Sequence, residues 1–193
     1  MRVALPPPRT DGPRSLERSL AERRSVRAFT ADTLDLGTTS QLLWAAQGIT
    51  GASESRTAPS AGALFPLEIY ALTAAGIAHY EPATHSLLRT HAGDVRPELA
   101  AAAHDQECVR DAPLVLVVTA VYARLAVKYG ESRGPRYVHL EAGHAAQNVL
   151  LQAVALGLGA VPVGAFDDRR AQSILRLPAD HEPLYLLCVG RVP

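Results

Sequence analysis

The sequence predicts an α+β domain, and three observations carry that expectation. Short runs at 67–73, 77–81 and 86–90 read as consecutive strands with turn residues between them, the pattern of an antiparallel meander. The remaining strand-like segments, 114–119, 161–166 and 183–190, are separated by helices at irregular spacing, so the alternation that builds a doubly wound parallel sheet is missing. A long helix from about 136 to 157 carries apolar residues on one side and a polar stripe on the other.

The elements follow in order. Residues 1–13, rich in Pro, Arg and Gly, are expected to lie extended ahead of one domain spanning 14–193. Leu16 and Leu20 among charged residues predict a short amphipathic helix over 14–23. A second helix over 39–47 is expected to be capped by Thr38 or Thr39 and stopped by Gly48. Gly51 to Pro66 has small residues and no sustained period, which marks a long ordered loop. Gly76 and the stretch Pro82 to His85 supply the turns of the meander. Asp94 is the expected N-cap of a helix reaching Glu107, and the β-branched run 114–119 is a strand of the buried type. A helix over 121–129 precedes the long one, which Gly134 and Pro135 are expected to open and Gly157 and Gly159 to end. Asp167 is placed to cap a short helix ending at Leu175.

Composition narrows the function classes. A chain of 193 residues with 48% hydrophobic content suffices for one full core. Nineteen basic residues against nineteen acidic ones leave no net field to gather a polyanion, so nucleic acid is not an expected partner. The apolar stretches are interrupted well short of a membrane span, and no membrane contact is expected. Cys108 and Cys188 lack metal-ligand spacing and read as buried thiols of a reducing, cytoplasmic compartment. His139 and His144 lie five residues apart, about 140° around an ideal helix, which rules out a zinc pair there; no metal site is expected. His79, His85, His91, His104 and His181 read as turn or surface residues.

Three segments have ligand chemistry. Arg23, Arg24, Ser25 and Arg27 place three guanidiniums and a hydroxyl within five residues, a possible phosphate clamp or a solvated helix end. Pro59, Ser60, Ala61 and Gly62 have little side-chain bulk, so the backbone can approach a flat or anionic ligand, or simply turn. The polar stripe of the long helix, Glu141, His144, Asn148 and Gln152 with Gln147 beside it, either faces solvent or presents buried amides that need partners.

Read together, five pieces resemble the nitroreductase superfamily, and within it the streptolysin-type azoline dehydrogenases. They are Arg23-Arg24-Ser25-Val26-Arg27-Ala28-Phe29, Leu42 through Thr50 (Leu-Leu-Trp-Ala-Ala-Gln-Gly-Ile-Thr), Pro59-Ser60-Ala61-Gly62-Ala63-Leu64-Phe65-Pro66, Gly143-His144-Ala145-Ala146-Gln147-Asn148 continuing to Gly157-Leu158-Gly159, and Val189-Gly190-Arg191. The resemblance implies a mostly antiparallel sheet flanked by helices, in an intertwined homodimer with FMN held between the subunits. It implies Arg23, Ser25, Arg27 and Arg191 as phosphate and ribityl ligands, with Arg24 either joining them or turning to a salt bridge. It implies Pro59 to Gly62 as the partner's contribution along the flavin, Asn148 and Gln147 as contacts from the long helix, and Leu158 with Gly159 as backbone near the reactive ring nitrogen. Ala63 and Phe65 depart from the Asn and Gln that members often place there.

The implied function is FMN-dependent oxidation of an azoline to an azole on a small-molecule or modified-peptide substrate. The stretch Val127-Lys128-Tyr129-Gly130 resembles that subgroup's catalytic region, which makes Lys128 and Tyr129 the implied acid/base pair. The alternatives are a nitroreductase or quinone reductase using reduced nicotinamide, and a flavin-binding scaffold without turnover.

Overall fold

The computed structural model of the chain describes residues 1–51 and 55–193. Seven strands form one sheet in the order β1-β4-β3-β2-β5-β7-β6, every ladder antiparallel: β1 Arg2–Ala4, β2 Leu67–Thr73, β3 Gly76–Glu81, β4 Ser86–Ala92, β5 Leu114–Ala120, β6 Gly159–Val163 and β7 Glu182–Gly190. The helices are α1 Leu16–Glu22, α2 Leu36–Gln47, α3 Arg96–Ala102, α4 Glu107–Asp111, α5 Ala123–Ala155 and α6 Asp168–Leu175. The α+β expectation holds, as does the β2-β3-β4 meander.

Strand periodicity splits the core into two layers. On β5, Leu114, Leu116, Val118 and Ala120 face the layer under α2 and α5, while Val115 and Val117 face the layer shared with residues of α3, α4 and α6. All seven residues of this strand are buried, as its β-branched composition predicts. Cys108 and Cys188 are buried free thiols in the second layer.

Several boundaries differ from expectation for identifiable reasons. The first residues do not merely run extended, because Arg2–Ala4 pair with Ser86–Leu88 and close the sheet edge. The cap of α2 is Asp35, whose Oδ1 accepts from the Thr38 backbone N–H at 2.8 Å, so the helix starts three residues ahead of Thr39. The helix expected over 94–107 is two helices: α3 ends at Ala102, and His104 and Asp105 take left-handed φ of 56° and 57° before α4 begins. Asp94 still accepts from Arg96 N–H, but Val95 occupies the cap position, with proline in the first turn. The break before the long helix falls at Gly130 (φ 72°, ψ 166°) rather than at Gly134-Pro135, a conformation that only glycine adopts without strain. Within the long loop, residues 52–54 lie outside the described residues. Its rims are joined by Thr50 N–H to the Ser55 carbonyl at 2.7 Å and Thr57 N–H to the Gly48 carbonyl at 3.0 Å.

Three histidines are not plain turn or surface residues. His79 Nε2 lies 2.6 Å from Glu68 Oε2, His181 Nδ1 lies 2.8 Å from the Tyr70 hydroxyl, and His85 bridges Ser40 and Tyr80. No helix among the described residues is long and apolar enough to cross a membrane.

Candidate functional site

The arginine segment follows directly from the end of α1. Arg23 is the C-cap, its N–H bonded to the Ser19 carbonyl, and the Arg24 guanidinium turns back to donate to the carbonyls of Ala21 and Arg23 at 2.9 and 2.8 Å. Arg24 therefore satisfies helix-end carbonyls rather than a carboxylate. The chain then runs beside β6, where Ser25 bridges Ala160 and Val26 N–H donates to the Ala160 carbonyl at 3.0 Å. This approach needs Gly159, since a Cβ there would lie 2.7 Å from Val26 Cγ1. Phe29 packs on Gly190, and Thr30 N–H donates to the Arg191 carbonyl at 3.0 Å.

These contacts bring Arg23, Ser25, Arg27, Leu158, Gly159 and Arg191 to one end of the sheet, at the paired residues Gly159 and Gly190. Ser25, Arg27 and Arg191 are exposed. Among the described residues no carboxylate lies within salt-bridge distance of Arg23, Arg27 or Arg191, in contrast to Arg2, Arg14, Arg18, Arg96, Arg110 and Arg124. Guanidiniums left without internal anions beside an exposed hydroxyl fit a phosphate group.

The second group sits at the opposite end. Ser60 leads into a 3-10 turn over Ala61–Ala63, with φ of 63° at Gly62, 54° at Ala63 and 44° at Phe65, and Ser60 Oγ accepts from Phe65 N–H at 2.9 Å. A Cβ on Gly62 would lie 3.0 Å from both Lys128 Nζ and the Tyr129 hydroxyl, so the structure joins the loop to the implied acid/base pair. Lys128 is also the only lysine in the sequence. Tyr129 packs on Tyr137 with ring centroids 4.7 Å apart. Arg124 fixes the end of the loop by donating to the Phe65 carbonyl at 2.8 Å while pairing with Glu68. Burial pulls the Glu68 carboxyl upward, but the bonds from His79 and Arg124 outweigh it and hold it below the ordinary range.

On α5 the polar stripe divides. His144 is exposed, Gln147 is half-buried, and Asn148 uses its amide to donate to the Thr57 carbonyl at 3.1 Å, which makes it an anchor of the loop's first half. Glu141 is 2% exposed, and burial pushes its carboxyl up to about 7 against weaker opposing effects of Ser60, Gln47 and Arg56. Sequence reasoning left Glu141 undecided and missed Arg56. The available signal was an acid in an Ala- and Val-rich helix, where a buried charge needs a partner.

Register gives the separation of the two groups. Leu67, just after the loop, pairs with Ala120, and Ala120 pairs with Glu182, the first residue of β7. Arg191 follows the last residue of that nine-residue strand. Eight rises of about 3.3 Å make β7 roughly 26 Å long, with Arg191 at one end and the strand that follows the loop paired at the other.

Comparison with known proteins adds a family. A model described as the nitroreductase family matches residues 20–191. A Methanocaldococcus jannaschii protein named for the nitroreductases is 45% identical over 182 residues, 91% of this chain and 90% of its own length. A crystal structure from Ralstonia eutropha, also named for the nitroreductases, superposes with a TM-score of 0.88 at 30% identity, covering all of this chain and 90% of that one. One from Anabaena variabilis gives 0.87 at 27% identity, over all of this chain and 42% of its own.

Proposed function

Because the chain belongs to the nitroreductase family, an oxidoreductase family, we propose that it is an FMN-dependent reductase that takes electrons from a reduced nicotinamide and delivers them to a quinone or nitroaromatic acceptor. The observation that carries the cofactor is the group of unpaired guanidiniums around Ser25 and Arg191. The relatives that carry nitroreductase names favour this reading over azoline oxidation.

FMN, when bound, supplies the redox chemistry, taking up a hydride equivalent and giving it to a second substrate. Arg23, Arg27 and Arg191 with Ser25 would hold the phosphate by charge-assisted bonds. The Pro59–Gly62 loop offers a low-profile backbone surface for a planar ring. Lys128 and Tyr129, against Gly62, bring N–H and O–H donors to that surface, where an acceptor's oxygen gains protons as it is reduced.

The Ser60 loop and Arg191 are attached at opposite ends of a strand roughly 26 Å long, longer than one FMN. We infer a homodimer in which the phosphate group of one subunit and the Ser60 loop of the other complete each site. Dilution is then expected to release flavin in step with dissociation of the dimer. Sedimentation that finds a fully loaded, stable monomer overturns this arrangement.

The placement of Lys128 and Tyr129 against Gly62 supports azoline oxidation as a second reading. The two readings separate in single-turnover experiments on the FMN-loaded protein. The reductase reading expects rapid flavin bleaching by NADPH or NADH and recovery on adding a quinone, with a thiazoline peptide inert. Bleaching by the thiazoline peptide alone, slowed in Lys128→Ala and Tyr129→Phe at normal flavin occupancy, reverses the order. Stoichiometric flavin that no donor reduces favours a scaffold without turnover.

A further inference from the structure

Beside the Pro59–Gly62 loop lies a connected cluster of residues drawn from three separate stretches of sequence. Gln47 at the end of α2 donates to Glu141 Oε1 at 3.4 Å, and Arg56 donates to Gln47 Oε1 at 2.9 Å. The Arg56 guanidinium lies 4.4 Å over the Phe65 ring, Phe65 N–H donates to Ser60 Oγ at 2.9 Å, and the Ser60 hydroxyl lies near enough to Glu141 to pull its carboxyl downward against burial. Two buried atoms stay unused: Glu141 Oε2 and Arg56 Nε have no hydrogen-bond partner among the described residues. An orphaned buried carboxyl oxygen is costly, and a structural role alone is served as well by an apolar residue of similar size.

We propose that Glu141 is a positioning residue for the flavin-receiving loop, transmitting its state through Ser60 and Arg56 to the height at which Pro59–Gly62 sits against Lys128 and Tyr129. The inference rests on the FMN reading above. A carboxylate at Glu141 attracts both the Ser60 hydroxyl and the free Arg56 Nε–H, and Arg56 carries Phe65 with it through their stacking. The loop therefore has one arrangement for the neutral acid and another for the anion. Its φ values at Gly62, Ala63 and Phe65 are all positive, so small changes at either end are passed along a stiff turn.

The charged group facing Glu141 is Arg56, from the segment ahead of β2; Ser60 and Gln47 are neutral. Arg56 in turn faces Glu68 of β2, Tyr80 of β3 and Arg124 of α5. Seating a planar ring over the loop excludes more water and disfavours the anion further, so flavin binding takes up a proton at Glu141. Affinity for FMN then falls as pH rises through about 7, where this carboxyl titrates in the free protein.

The test is fluorescence titration with FMN at pH 7.0 and 8.5, both above the second phosphate ionisation near 6. Wild type is expected to lose about tenfold in affinity between them. Glu141→Gln, which mimics the neutral acid, is expected to keep the affinity that wild type has at pH 7.0 at both values. Ser60→Ala, which leaves the buried carboxyl in place beside Arg56, is expected to bind more weakly while keeping a pH dependence that Glu141→Gln lacks. A wild-type slope retained in Glu141→Gln, or a flat wild type, overturns the inference while leaving the FMN reading standing. Wild type that binds no FMN at either pH defeats the FMN reading, and the inference with it.

Discussion

FMN affinity is expected to fall about ten- to a hundredfold in Arg27→Ala and in Arg191→Ala, and further when both are changed. Each guanidinium would lose a charge-assisted contact with a net value of about 1.5–3 kcal/mol. The two serve one phosphate, so the combined loss should fall short of the sum. Neither has an ion-pair partner among the described residues, and both are exposed, so the flavin-free variants should unfold within about 0.5 kcal/mol of wild type. That contrast separates a ligand clamp from a structural role. The same contacts face water, so raising ionic strength should weaken wild-type binding more than it weakens binding by the double variant. Titrations that leave both single variants at wild-type affinity would remove this end of the sheet from the cofactor site.

What the sequence revealed and what it hid follow from the range of the interactions. Strand period, the apolar run 114–119 and the Asp167 cap depend on neighbours in sequence, and all three appear as expected. Sequence does not place the cap of α2 because Asp35, Thr38 and Thr39 are all competent cap residues, and only the fold decides which of them caps the helix. Ala103 to Gln106 contains no glycine or proline to announce a break, so nothing local marks the left-handed His104 and Asp105 as the end of a helix. The candidate site divides the same way. Arg23, Ser25 and Arg27 are legible because they crowd into five residues, and the likeness of whole segments to a family tied them to Arg191. The cluster of Gln47, Arg56, Ser60, Phe65 and Glu141 spans 94 positions, and no local pattern discloses it. The two roughly opposite ends of the site likewise emerge only from strand register, which one sequence does not display.

Replacing Glu141 with Gln is expected to change the pH dependence of stability in the flavin-free protein, with a sign that geometry dictates. Burial raises the folded-state value from 4.5 to about 7, so the fold binds a proton that the unfolded chain has released. The stabilising contribution of the neutral acid is complete below about 4.5 and is lost as pH rises through about 7. At roughly 1.4 kcal/mol per unit, the loss approaches about 3 kcal/mol by pH 8. Other groups act in other directions. His181, held below its ordinary value chiefly by burial, favours the fold more as pH rises through its range, and Glu68, Asp35 and Asp94, all held low, withdraw stability only in acid. A wild-type profile alone therefore mixes opposing slopes, whereas the difference between wild type and Glu141→Gln cancels the shared ones. Urea unfolding at pH 5 and pH 8 should show that difference moving in favour of the variant by up to about 3 kcal/mol, with the m-value unchanged. A difference that stays constant across that interval would mean that Glu141 is already ionised in the fold at pH 5, with Arg56 drawn onto its free oxygen.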